Sequence, residues 1–356
     1  MRDFLIIGGG IAGIVAAARL SELGSVVLIE AETSTGYHAS GRSAALFEPN
    51  YGLPPVVALS RATGPALAEA GVLSPRGMLL LGARETAQDF AADVVGMELD
   101  EIGVDEAVAR VPVLDPAGFD RAALGAHAFD IDTDLWMQGL LKAARGRGAE
   151  VLTGRRVGAI ARVPGGWQAT TPAGTVEGRQ IVNAAGAWAD AIAAMAGIGP
   201  LGLVPHRRSV ARIAAPGGHD LSGWPMIFGA GESWYAKPDA GALIVSPAEE
   251  EPMAAQDAWP EDMVLAEGLA RWQAVSRVEV TRPVAAWAGL RTFAPDRVLV
   301  IGPDPRAADF LWMAGQGGYG FQTSAGAGQL LADLVAGRAP ALEAATVAAL
   351  SPSRLT

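Results

Sequence analysis

Short apolar runs separated by glycine-rich turns set the rhythm of this chain. Residues 4–7 form one such run, of a length suited to a buried parallel strand. Residues 11–20 are Ala-rich and read as a helix, Gly24 stops it, and residues 26–29 give a second strand ending at Glu30. Buried runs of the same kind recur at 180–184, ahead of a helix over 189–196, and at 298–302 and 310–315, ahead of a long helix over 325–335. Helices are also predicted over 56–70, 86–99, 104–110, 135–147 and 260–275, and strands over 78–82 and 151–152. A Pro164-Gly165-Gly166 turn separates 157–163 from 167–171 as a β-ribbon returning through Val176. From 203 to 245 the pattern shortens: 207–213 alternates as a strand does, and 234–238 with 243–246 reads as a hairpin. Residues 277–283 read as one more strand.

The first turn carries chemistry. Gly8, Gly10 and Gly13 form G-x-G-x-x-G between a strand and a helix, and Glu30 lies about 20 residues further on. Gly8 suits the tight turn, Gly10 lets backbone approach a pyrophosphate, and Gly13 lets helix and strand pack closely. The helix start offers unpaired N–H groups to phosphate, and Glu30 can accept from a ribose diol. The unit predicts a bound dinucleotide without separating FAD from NAD. After it, a small-residue loop with Ser40, Gly41, Arg42 and Ser43 can bring backbone or side-chain donors to the ligand. Asp132, Thr133 and Asp134 read as helix-capping residues rather than metal ligands.

Strand–turn–helix pieces at the start, middle and end, with strand-rich pieces between, predict an α/β chain in two units. A Rossmann-like cofactor domain is expected from 1–50, 130–200 and 286–356. A strand-rich, mixed α+β substrate domain is expected from 51–129 and 201–285. Half the residues are hydrophobic, enough for a sizeable core. The absence of Cys excludes disulfides and Cys-ligated metal, and fits a reducing cytoplasm. A net charge of -11 argues against nucleic acid as a partner. The apolar stretch from 5 to 20 is broken by glycines and Arg19, so neither a transmembrane segment nor a signal peptide is expected there.

Several stretches together carry a family likeness: G-Y-H-A-S-G-R-S-A-A, D-I-D-T-D, V-N-A-A-G-A-W, L-G-L-V-P-H-R-R-S, Y-A-K-P-D-A-G, W-A-G-L-R-T-F, Q-G-G-Y-G-F-Q-T-S and a terminal L-S-P-S-R-L. With them the chain resembles the FAD-dependent D-amino-acid oxidase superfamily, and within it the bacterial FAD-dependent D-arginine dehydrogenases. The resemblance implies non-covalent FAD held by Gly8, Gly10, Ala12, Gly13, Glu30, Ala31, Ser40, Gly41, Arg42, Ser43, Ala44, Ala45, Leu46, Val157, Gly317, Gly318, Tyr319, Gly320, Phe321 and Gln322. It implies Arg291 as the substrate-carboxylate arginine, with Tyr235, Tyr51 and Arg208 around it and the Gly318 carbonyl toward the amine. Arg207 and Arg208 point to opposite faces of a strand, so only one can line a pocket.

Two positions depart from the pattern. The glutamate that holds a guanidinium in the D-arginine enzymes is missing from Leu73-Ser-Pro-Arg-Gly-Met, and a pocket histidine and threonine are replaced by Leu46 and Glu48. Glu48 either supplies a replacement carboxylate or points to solvent. The implied reaction is oxidative deamination of a small-molecule D-amino acid, aliphatic or basic, with hydride leaving Cα for flavin N5. The electron acceptor is oxygen or a quinone. A sarcosine, glycine or 2-hydroxy-acid oxidoreductase is the alternative within flavoenzymes; a non-catalytic FAD-binding subunit or sensor is the alternative from another class.

Overall fold

The computed structural model describes residues 1–356. Its first sheet has eight strands, with Arg2–Ile7 at the centre. That strand pairs in parallel with Val26–Ile29 on one side and with the second half of Gly174–Asn183 on the other. Glu150–Leu152 extends the parallel sheet beyond Val26–Ile29, and Ala307–Ala314 extends it beyond Gly174–Asn183. Alternate residues of the central strands enter two different cores. Phe4, Ile6 and Leu28 pack with the helices Ile11–Leu20, Pro54–Glu69 and Ser324–Ala336. Leu5, Ile7 and Val27 pack with Ala189–Met195 and with Trp167 of the β-ribbon. Burial on both faces explains why these strands read as continuous apolar runs.

The second sheet has nine strands, drawn from Met78–Gly82, Asp100–Ile102 and Arg121–Gly125 and from six strands between residues 204 and 293. Val204–Ile213 is its spine. It pairs antiparallel with Ala242–Ser246 and, over nine residue pairs, with Ala285–Phe293. A three-stranded sheet of Leu46–Phe47, Phe129–Ile131 and Leu73–Pro75 lies apart from both.

Four expectations are corrected. The strand carrying Arg291, expected in the cofactor domain, belongs to the nine-stranded sheet. Helix Pro54–Glu69, expected in the substrate domain, places Val56 and Leu59 in the core of the first sheet. Residues 277–283 form no strand. The Val280 amide is taken by the Gln273 side chain and the Arg277 amide by the Val113 carbonyl, so neither joins a ladder. The ribbon return and the run at 180–184 are one strand, Gly174–Asn183.

Candidate active site

The glycine turn is as tight as the spacing demands. Gly8 has φ +109°, and a Cβ on it would lie 2.3 Å from the Ala184 carbonyl oxygen. A Cβ on Gly13 would lie 1.9 Å from the Gly8 carbonyl oxygen, so helix and strand meet there backbone to backbone. Glu30 is buried, and its carboxylate accepts from the Gly9 amide at 2.6 Å and the Glu32 amide at 2.8 Å. Ser40 Oγ accepts from the Ile11 amide at 3.0 Å, which ties the small-residue loop to the helix start.

From this turn a single chamber of about 480 Å³ runs to the second sheet. Of the residues expected at a cofactor, Gly8, Gly10, Ala12, Glu30, Ala31, Ser40, Arg42–Leu46, Val157, Gly317, Gly318, Gly320, Phe321 and Gln322 line it. Three do not. Gly13 packs behind the turn, the Gly41 amide donates to the Gly36 carbonyl, and the buried Tyr319 ring stacks between Tyr51 and Phe293. The Arg42 guanidinium donates to the Ala258 and Ala288 carbonyls and pairs with Asp257 at 2.5 Å, so it also fastens the loop against the second sheet.

The far end of the chamber holds Glu48, Tyr51, Arg208, Tyr235, Arg291 and Gly318 together. Arg208 pairs with Gly289 and Arg291 with His206 on neighbouring strands, so the two arginines share one sheet face two residues apart. Arg207 projects from the other face and is bonded to Glu251 and Glu261. Arg291 gives Nη1 to Glu250 at 3.0 Å, while its buried Nε has no protein partner. Gly318 packs against this edge, where a Cβ would lie 2.5 Å from Nη2 and 2.7 Å from Nε. Burial and then the Arg291 charge hold Arg208 below its ordinary pKa. Burial also pulls Arg291 down, but Tyr51, Glu250 and Glu232 outweigh it and hold that pKa above the usual value.

The Tyr51 hydroxyl donates to Glu232 at 2.7 Å. Burial, then the Glu232 charge, raises its pKa well above the ordinary phenol value. Gln322 donates from Nε2 to the Tyr51 carbonyl and to Ser60, fixing the base of the Tyr51 loop. Glu48 does not point to solvent. It is buried in the chamber wall, and burial pushes its carboxyl up to about 7. Glu232, Met78, Met97, Met226 and Phe228 also line this end and escaped the sequence reading. The methionines carry no chemical signature, and Glu232 sits in a Gly-Ala-Gly-Glu turn that reads as an ordinary loop. The aspartates of 130–134 serve structure: Asp130 pairs with Lys237 and Arg76, and Asp132 caps helix Thr133–Gly146.

The profile of the FAD dependent oxidoreductase family, DAO, matches residues 3–334. The chain belongs to that family. Among curated proteins it is 49% identical to D-amino acid dehydrogenase 2 of Ralstonia nicotianae over 65 residues, 18% of this chain and 15% of that one. It is 29% identical to hydrogen cyanide synthase subunit HcnC of Pseudomonas aeruginosa over 200 residues, 55% of this chain and 46% of that one. The matched stretches thus span less than half of either relative. Among solved structures, glycine oxidase from Geobacillus kaustophilus superposes with a TM-score of 0.84 at 24% identity, covering 100% of this chain and 98% of that one. L-proline dehydrogenase from P. horikoshii gives 0.84 at 22%, covering 99% and 97%. These two likenesses establish the fold. FAD is the family's cofactor, and the chamber suits it: backbone alone lines the wall at Gly8–Gly10, and two backbone amides hold the Glu30 carboxylate beside it. No helix is long and apolar enough to cross a membrane.

Proposed function

We propose that this protein oxidises D-α-amino acids to imino acids, which water converts to 2-oxo acids and ammonia. The observation that carries the reading is the Arg291 guanidinium, which lines the chamber with only Nη1 taken by Glu250 and with Nη2 neither fully buried nor bonded to protein. A guanidinium nitrogen of that kind can pair with a substrate carboxylate. The likeness to a D-amino acid dehydrogenase over 65 residues supports the D series.

FAD bound in the chamber supplies the acceptor for the hydride that leaves substrate Cα. Arg291 holds the substrate carboxylate, Tyr235 and Arg208 flank it, and the resulting orientation is the main contribution of the protein. The substrate nitrogen must be neutral for its lone pair to assist. The two arginines at this end disfavour an ammonium and favour loss of its proton, an effect that Glu250 and Glu232 reduce. Tyr51, bonded to Glu232, lines the same chamber and is the candidate to cover a bound substrate.

Anaerobic mixing of the yellow holoprotein with D- and L-amino acids, glycine, sarcosine and 2-hydroxy acids tests the reading. Bleaching of the flavin by D-amino acids and not by their L enantiomers is expected. Bleaching by sarcosine or a hydroxy acid alone overturns it, and a flavin that no substrate reduces points to a non-catalytic role. Admission of air to the reduced protein then separates oxygen from a quinone-type acceptor.

A further inference from the structure

Outside the chamber, behind the two arginines, a single carboxylate gathers three guanidinium groups. Glu250 lies between strands Ala242–Ser246 and Glu251–Pro252 and does not line the chamber. Its Oε1 accepts from Arg291 Nη1 at 3.0 Å, Arg208 Nη2 at 3.3 Å and Arg297 Nη2 at 2.9 Å, and its Oε2 accepts from the same Arg297 nitrogen at 2.8 Å. We infer that Glu250 is a positioning residue for substrate binding: it clamps Arg208 and Arg291 from behind and holds the Arg291 guanidinium so that its unbonded Nη2 is left for the ligand. The inference rests on the proposed role of Arg291 in holding a carboxylate.

Arg208 and Arg291 are like charges on adjacent strands, both buried; Glu232 adds negative charge near them and Arg208 Nε donates to the Glu249 carbonyl at 3.0 Å, but Glu250 is the carboxylate bonded to both. Without a shared counter-ion they would splay apart, and long side chains would lose the orientation that carboxylate binding needs. Glu250 supplies the counter-charge at Nη1 of Arg291, which leaves Nη2 for the ligand. The position behind the chamber wall means that it orients the arginine without competing for the same nitrogen.

Arg297 shows that the clamp is built and not incidental. It has φ +63°, a conformation that non-glycine residues adopt only when their surroundings hold them there. Its guanidinium lies 3.9 Å from the Phe293 ring centre while bonding both oxygens of Glu250. Phe293 in turn fills the space beside Gly317, where a Cβ would come within 2.3 Å of the ring. A continuous path of contacts therefore runs from the turn at Gly317–Gly318, through Phe293 and Arg297, to Glu250 and back to Arg291.

The experiment titrates holoprotein with benzoate, a carboxylate without an oxidisable amine, and follows the flavin spectrum. Glu250→Gln is expected to raise the benzoate Kd at least tenfold and the D-amino-acid KM by a similar factor, with kcat changing less than threefold. Glu250→Asp, which keeps the charge on a shorter stem, is expected to recover part of the loss. Arg297→Gln is expected to raise Kd in the same direction by a smaller factor, and it serves where Glu250→Gln does not yield folded protein. Unchanged Kd in both Glu250→Gln and Arg297→Gln overturns the inference, as does a fall in kcat at constant KM. If no D-amino acid reduces the wild-type flavin while benzoate still distinguishes wild type from Glu250→Gln, the proposed substrate is wrong and the positioning role stands.

Discussion

Glu48 Oε2 and His127 Nε2 stand 3.1 Å apart, and neither atom makes a hydrogen bond. Glu48 Oε1 accepts from the Asn50 amide at 2.8 Å, so the carboxyl is held at one oxygen only. His127 and the more distant Glu98 are the titratable groups that face it. Burial is the leading cause of its rise from 4.5 to about 7, and the Glu98 charge adds to it. A folded-state pKa above the unfolded value gives stability that is fully present below about 4.5 and lost as pH rises through about 7. The lost contribution is about 3 kcal/mol. Thermal unfolding of wild type and Glu48→Gln from pH 4.5 to 8 measures it. Wild type should lose stability relative to the variant across that window, and parallel curves would remove Glu48 from the account.

Arg291→Lys keeps the charge and removes the planar edge. Loss of the guanidinium–carboxylate pair should cost about 2–4 kcal/mol, roughly 30- to 1,000-fold in kcat/KM. FAD content should be unchanged, because Arg291 stands on the second sheet and the glycine turn follows the central strand of the first. Steady-state kinetics together with the flavin-to-protein absorbance ratio check both halves. A variant with wild-type kcat/KM would refute the carboxylate role.

Gly13→Ala tests the turn. The new methyl would lie 1.9 Å from the Gly8 carbonyl oxygen, a backbone atom with nowhere to retreat. We expect a loss of about 1–3 kcal/mol in stability and colourless protein after gel filtration. Retention of stoichiometric flavin would show that the close approach is dispensable.

Tyr51→Phe removes the hydroxyl that donates to Glu232 and keeps the ring that packs on Tyr319 at 5.3 Å. A hydrogen bond to a charged group contributes about 1.5–3 kcal/mol. The KM for the amino acid should rise roughly 10-fold or more, and Glu232→Gln should produce a smaller change in the same direction. No change in KM for either variant would mean that the pair does not hold the loop closed.

The features most legible in the sequence were those written in short-range patterns. Strands buried on both faces announce themselves as unbroken apolar runs, and the Gly8–Gly13 spacing and Glu30 locate the cofactor turn directly. Alternation put Arg207 and Arg208 on opposite faces, and the family likeness picked Arg208. Alternation also misled: Arg277-Val-Glu-Val-Thr has the period of a strand, yet its amides bond to a side chain and to loop carbonyls. What joins Ala285–Phe293 to Val204–Ile213 is a pairing between strands some 80 residues apart, for which no local pattern exists. Glu250 was hidden for a related reason. It stands in Ala-Glu-Glu-Glu-Pro, a charge run that reads as solvated surface until the fold brings three arginines to it.

The chamber is walled by two separate sheets, with the Gly8–Ala12 turn on one and Arg208, Tyr235 and Arg291 on the other. Selectivity and cofactor affinity are therefore separable engineering variables. Residues such as Met78, Met97 and Met226 can be exchanged to admit a different side chain while the turn that grips the dinucleotide is left untouched. Arg42, fastened to the Ala288 carbonyl of the second sheet and to the loop carbonyl of Ala258, is the rivet such redesign must spare.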